Sequence, residues 1–231
     1  MAVLLHIDTA TEHASVSLSR NGEMLRLLAS HEQKNHAAFV QPAIQQLLKE
    51  CGLSLHMLDA VSVTAGPGSY TGLRVGYSSA KGICYALGKP LIAIGTLDVM
   101  YRSMCRRLEE EKKKLTPDML FAPLIDARRM EVFTAVYRAD GTVVSPMQAL
   151  VLTEQSFQDL MTDHPLLISG SGAAKTASLL QHPSLITIDV QHNASDMLTL
   201  AEKAFENRQF ADLAYSEPDY GKAFFTPGRS H

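Results

Sequence analysis

At 231 residues the chain can form one large domain or two small ones, and it can bury most of its surface without disulfide or metal staples. Apolar residues make up 46%, and 21 Lys plus Arg against 24 Asp plus Glu leave a net charge of -3, which argues against direct, tight nucleic-acid binding, since stand-alone binders carry a basic surplus. Three widely spaced cysteines, Cys51, Cys84 and Cys105, form neither a disulfide framework nor a cysteine zinc site; with no signal peptide in Met1–Asp8 and no apolar run of about 18 residues, a soluble cytosolic protein away from the membrane is expected.

Val3 to Ile7 is a short apolar run that ends in a polar turn, Asp8-Thr9-Ala10-Thr11-Glu12. Ala14 to Ser19 alternates, with serines 15, 17 and 19 on one face, the two-residue period of a half-buried strand. Asn21-Gly22 predicts a hairpin into a strand over Met24–Ala29. A helix is expected from Asn35 or His36 to Cys51, with a broad apolar stripe and with Pro42 bending or restricting its first turns. Leu58–Ala65 reads as a strand, Gly66-Pro67-Gly68-Ser69 as a tight loop, Tyr70–Leu87 as a helix and Leu91–Ile94 as a strand. Thr96 starts a helix to about Leu115, whose charge block, Arg106–Lys114, reads as a solvated face or a mobile connection.

The second half opens like the first. Phe121–Ile125 is apolar, Asp126-Ala127-Arg128-Arg129 breaks it, Glu131–Tyr137 alternates, and Asp140-Gly141 turns the chain into Thr142–Val144. Ile7, Asp8 and Arg20 keep the spacing of Ile125, Asp126 and Arg138, so a strand–turn–strand–turn–strand unit repeats. The repeat divides the chain into an N-terminal lobe (1–105), a charged connection (106–118) and a C-terminal lobe (119–231). Within the latter, helix is expected at Glu154–Met161, strand at Leu166–Ser169, helix at Ala173–Leu180 and strand at Leu185–Val190. A helix capped by Ser195 should reach about Asn207, followed by an extended tail from Tyr215 that holds Pro218, Pro227 and Gly228.

The glycine loop before the Tyr70 helix suits an anion, because helix N-termini carry free N–H groups and partial positive charge; a plain strand-to-helix turn explains the same glycines. Gly72, Gly76 and Ala80 recur at four-residue steps, and each interior glycine costs about 1 kcal/mol relative to alanine, so close approach of another backbone, in this chain or a second subunit, is expected there. Hydroxyl and amide donors of the first turn, Thr9 and Thr11 among them, could face a phosphate, and Asp8 could hold a metal. The counterpart turn at Asp126 lacks the glycines a phosphate would need, so a clamp built from both turns is incomplete. Gly170-Ser171-Gly172-Ala173-Ala174-Lys175 is not a P-loop, since Ala174 stands where glycine must precede the lysine. The histidines, including His31 and His36, form no metal-ligand pair, and no nucleophile elbow is present.

Ile7-Asp8-Thr9-Ala10-Thr11, the segment His36–Pro42, Ala65-Gly66-Pro67-Gly68-Ser69-Tyr70-Thr71-Gly72-Leu73-Arg74, Ile125-Asp126-Ala127-Arg128 and Glu217-Pro218-Asp219-Tyr220 together resemble the bacterial TsaB family, also called YeaZ, of tRNA threonylcarbamoyladenosine biosynthesis proteins. The resemblance covers essentially the whole chain; in the tail, Gly221-Lys222 departs from the family's apolar residue and arginine. It implies an α/β fold of the actin, Hsp70 and sugar-kinase superfamily, two lobes of duplicated βββαβα units. It implies a non-catalytic relative of the transferase TsaD, which modifies adenosine 37, working with TsaD and the ATPase TsaE and forming a homodimer when isolated. No cofactor is expected of this chain itself: ATP and metal belong to the partners, an interfacial nucleotide is left open, and tRNA contact is indirect. Where the active relative has a paired-histidine metal motif this chain has Gly95-Thr96-Leu97-Asp98-Val99-Met100, and Asp126–Arg129 replaces a glycine-rich turn. The family's partner contact uses the helices His36–Cys51 and Tyr70–Leu87, which places Phe39, Val40, Ala43, Ile44, Leu47, Leu73, Gly76, Tyr77 and Ala80 at the interface. Asp8, Thr9, Thr11, Gly66, Gly68, Ser69 and Asp126 are then remnants of nucleotide-binding turns. The competing reading is a phosphotransferase or metallopeptidase acting alone.

Overall fold

The computed structural model describes residues 2–30, 32 and 35–222; His31, Pro227 and Gly228 of the readings above lie outside the described residues. The first apolar run forms β1 (Val3–Asp8), antiparallel to β2 (Ser15–Arg20), which turns into β3 (Glu23–Ala29). Asn21 and Gly22 take φ of 53° and 75°, as a two-residue hairpin of this kind demands. α1 (His36–Glu50), β4 (Ala60–Gly66), α2 (Tyr70–Leu87) and β5 (Leu91–Gly95) follow. β4 and β5 add in parallel to give the order β3-β2-β1-β4-β5. α1 runs through Pro42 without interruption.

After α3 (Thr96–Glu110) come β6 (Leu120–Asp126), β7 (Glu131–Arg138), β8 (Val143–Val151), α4 (Gln158–Asp163), β9 (Leu166–Ser169), α5 (Ala173–Leu180) and β10 (Leu185–Thr187). A 3-10 turn at Ala194–Met197 then leads into α6 (Leu198–Glu206). The second sheet reads β8-β7-β6-β9-β10, the first sheet's order with each strand replaced by its counterpart. The duplicated βββαβα units of the actin, Hsp70 and sugar-kinase type are therefore present.

The register of the two copies differs from their sequence spacing. Val3 pairs with Arg20, and Leu120 pairs with Arg138. Placing Arg20 on Arg138 thus puts Asp8 on Ile125 rather than on Asp126. A one-residue offset sends side chains to opposite faces, and the pair obeys this: Asp8 lies buried toward the second lobe, while Asp126 reaches Lys175 on α5. Equal spacing concealed a shorter turn, residues 127–130 against residues 9–14.

The packing units also differ from the divisions at 105 and 119. Val3, Leu5 and Ile7 pack under α1 and α2, and α4 and α5 cover the outer face of the second sheet. Between the sheets, Met197 and Ala201 from the C-terminal half pack on Leu4, Ala60 and Ile92 of the first sheet. α3, counted with the first lobe, instead packs Leu97, Met104 and Leu108 on Phe121, Phe133 and Leu167 of the second. The connection 106–118 is not all solvated: Arg106 Nε donates to Asp196 Oδ1 at 2.7 Å, tying α3 to the 3-10 turn, while residues 109–114 are exposed.

This inner layer corrects the half-buried reading of β2. Ser15, Ser17 and Ser19 are buried and satisfied: Ser15 Oγ accepts from Ala194 N at 2.8 Å, Ser17 Oγ donates to Ala194 O at 3.1 Å, and Ser19 Oγ bonds His6 Nε2 at 2.8 Å. Other boundaries move for local reasons. α3 stops at Glu110, where Lys112 takes φ 55° and Lys113 N bonds back to Leu108 O, a closing turn of the helix end. α4 starts late, after Phe157 at φ 61°. Asn193, not Ser195, caps the last helical segment, in a capping box with Asp196. β8 extends to Val151 and β10 stops at Thr187.

Candidate functional site

The glycine loop between β4 and α2 is filled by the chain itself. Ser69 N donates to Ala10 O at 2.7 Å, and Ser69 Oγ caps α2 by accepting from Gly72 N at 3.2 Å. A Cβ at Gly68 would stand 2.2 Å from Ala10 O, one at Gly72 2.2 Å from Thr9 O, and one at Gly76 2.3 Å from Thr9 Oγ1. The backbone that the glycine row admits is therefore the first turn of the same lobe, not a second subunit. Thr11 is held likewise, its carbonyl accepting from His36 Nε2 at 2.8 Å.

Asp8 ends β1 as a fully buried carboxylate. Its Oδ1 accepts from Thr64 Oγ1 at 3.1 Å and Ala10 N at 3.2 Å. Its Oδ2 faces His192 Nε2 across 3.4 Å. A cleft of about 410 Å³ opens beside His192, with Thr11, Glu12 and His13 on one wall and Ser169–Ser171, Ala173, Ala174 and Thr187–His192 on the other. Among the described residues, Glu12 and Asp189 are in its lining and no lysine or arginine is, a poor field for a polyphosphate.

The second turn is occupied differently. Asp126 Oδ1 accepts from Lys175 Nζ at 2.8 Å, and that ammonium also donates to the carbonyls of Arg129 and Glu131. Lys175 holds the Asp126 carboxyl below the usual carboxylate range. Arg128 and Arg129 keep φ of 68° and 47°, a backbone that glycine adopts with less strain. The glycine loop of this lobe is also filled: Gly172 N donates to Leu124 O, and a Cβ at Gly170 would lie 2.4 Å from that oxygen. Gly95–Met100 supplies core: Thr96, Leu97, Val99 and Met100 are buried, and Asp98 accepts from the Tyr137 hydroxyl at 2.9 Å.

The expected partner face turns inward. Val40, Ala43, Ile44, Leu47, Leu73, Gly76, Tyr77 and Ala80 are buried within the first lobe, and Phe39 only partly so. Their stripe is wide because α1 packs on the sheet and on α2 at once. The outward faces of the two helices carry Ala38, Gln41 and Gln45 on α1 and Arg74, Ser78, Gly82 and Tyr85 on α2, which the hydrophobic pattern could not single out.

Known proteins agree with this architecture. The TsaB protein of Bacillus subtilis is 27% identical over 226 residues, spanning 94% of this chain and 93% of its own. The Escherichia coli TsaB is 28% identical over 229 residues, again 94% of this chain and 93% of that one. A Pseudomonas aeruginosa structure described as similar to peptidase YeaZ superposes with a TM-score of 0.82 at 25% identity, covering 96% of this chain and all of that one (100%). The YeaZ structure from the same organism gives 0.76 at 27% identity, covering 95% and 100%. The sequence model for tRNA N6-adenosine threonylcarbamoyltransferase, TsaD, matches residues 29–220. The chain belongs to the TsaD family and, within it, to the TsaB (YeaZ) branch of tRNA threonylcarbamoyladenosine biosynthesis proteins.

Proposed function

We propose that this chain is a non-catalytic subunit for threonylcarbamoylation of adenosine 37 in tRNA, working in the cytosol by pairing with TsaD alongside the ATPase TsaE. The observation that carries this reading is the filling of both glycine loops by the chain's own backbone, which takes up the amides a nucleotide phosphate would use. ATP, metal and the tRNA itself then belong to the partners. The decisive experiment reconstitutes TsaD, TsaE and tRNA with and without this chain and measures threonylcarbamoyladenosine. A strong dependence on the chain is expected, and full activity without it would refute the role.

The docking face in this reading is the outward side of α1 and α2. Gly82 offers a clean probe, because it is exposed and a Cβ there meets nothing within 4 Å. Gly82→Arg should leave the fold and thermal midpoint within the range of a neutral surface change. It should remove co-elution with TsaD on size exclusion. Undiminished co-elution would move the interface elsewhere.

A further inference from the structure

We infer that residues 211–222 form a strap that fixes the relative orientation of the two lobes. The segment follows the first lobe before it crosses. Ala211 N donates to Leu91 O at 2.8 Å, Lys81 Nζ donates to the carbonyls of Ala214 and Ser216, and Asp219 N donates to Ala65 O at 2.6 Å. The Tyr220 ring lies 4.9 Å from that of Tyr70, over which Arg74 places its guanidinium at 4.7 Å.

The next two residues belong to the other lobe. Gly221 sits so close to the Phe133 ring of β7 that a Cβ would lie 2.5 Å from it, and Lys222 pairs with Glu131 on the same strand. The crossing is braced, since Asp219 Oδ1 accepts from Gly221 N at 2.8 Å. Gly66 is the seat of the strap: it holds φ 111°, and a Cβ there would stand 1.8 Å from Asp219 O. This assigns the first glycine of the Gly66–Ser69 loop a role that a phosphate cradle does not explain. The described chain otherwise passes between the sheets through the segments after α3 and after β10, so the strap adds a third tie, between β4 and β7. Its second-lobe end is one ring contact and a partly exposed ion pair, weak enough to open without unfolding either core.

The test uses the full chain with spin labels at Gln45→Cys and Met147→Cys, both exposed, in a Cys51→Ser background; Cys84 and Cys105 are buried. The parent should give one narrow interlobe distance. Tyr220→Ala with Lys222→Ala should raise Asp219 amide exchange at least tenfold and broaden the distance distribution at least twofold, leaving β4 amides protected. Gly66→Ala, which displaces Asp219 directly, should do the same. An unchanged distance distribution with the strap released would overturn the inference, and so would an Asp219 amide that stays protected in both variants.

Discussion

The turn after β1 and the turn after β6 occupy matching places in two copies of one unit, yet they are held in opposite ways. Residues 9–14 are pressed onto a helix row of glycines, with Thr9 against Gly72 and Gly76. Residues 127–130 instead stand on a lysine, whose ammonium reaches Asp126 and two carbonyls. The inner faces of the sheets diverge too. The first buries a polar row, with His6 between Ser62 and Ser19 at 2.7 and 2.8 Å. The second buries Phe121, Phe133 and Tyr137 against α3. Glycine in such a repeat therefore marks where the chain must approach itself, and a missing glycine marks where a charge has taken over.

The largest expected effect breaks the first arrangement. Gly76→Leu would drive four carbons into space where even a Cβ lies 2.3 Å from Thr9 Oγ1. Overpacking of a buried site usually costs ~1–3 kcal/mol, and more when backbone must move. We expect the top of that range or beyond, measured as a lowered denaturant midpoint or loss of soluble protein. Wild-type stability would mean that the turn is not seated on α2.

Acid should separate the two lobes next. Burial lowers the His6 pKa from 6.5 to about 3. The folded value lies below the unfolded one, so the stability due to neutral His6 is complete above pH 6.5 and falls as the pH drops toward 3. One such group contributes about 1.4 kcal/mol per pH unit in that window. His6→Gln should flatten this slope in urea titrations between pH 6 and 4, and hydrogen exchange should show β1 and β2 opening before β6 and β7. An identical pH slope in the variant would mean that His6 carries no part of it.

A smaller loss is expected where the lobes meet. Asp196 has a side chain only 2% exposed, and Arg106, 33% exposed, is its cationic partner. Arg106→Ala leaves that carboxylate without a cation, holding only its capping bond from Asn193 N; removing one member of a buried pair costs about 3–5 kcal/mol, and the solvent reaching Arg106 reduces this to about 2 kcal/mol. Thermal unfolding should shift by several degrees, with the midpoint of Arg107→Ala nearly unchanged as the exposed control.

Much of this architecture was legible in the chain itself. The alternation in Glu131–Tyr137, the Asn21-Gly22 and Asp140-Gly141 turns, and the bounds of α2, β9 and α5 followed from local pattern, because short-range periodicity and turn chemistry decide such elements. What escaped was tertiary. Ser15 and Ser17 looked solvated because nothing local announces that a 3-10 turn almost 180 residues later supplies their backbone partners, and Ser19 because its partner is the buried His6 ring on the neighbouring strand. The apolar stripe of α1 looked like an interface because a sequence cannot say which neighbour consumes it. The alignment of Asp8 with Asp126 misled because equal spacing concealed a shorter turn and a flipped face.

The smallest effect tests that last point. If Asp126 were a true counterpart of Asp8, replacing it would disturb a buried, hydrogen-bonded site. The structure instead gives it a side chain 46% exposed, paired with a lysine that keeps two carbonyl partners in its absence. Asp126→Asn should therefore cost no more than about 0.5 kcal/mol at neutral pH. Because Lys175 depresses the Asp126 carboxyl, that difference is present above the usual carboxylate pKa and vanishes as pH falls through the lowered folded value. Lys175→Met should cost more than Asp126→Asn, since it removes three bonds that hold the turn rather than one. A loss of about 2 kcal/mol or more for Asp126→Asn in urea denaturation would restore the two aspartates as equivalents and undo the one-residue offset between the lobes.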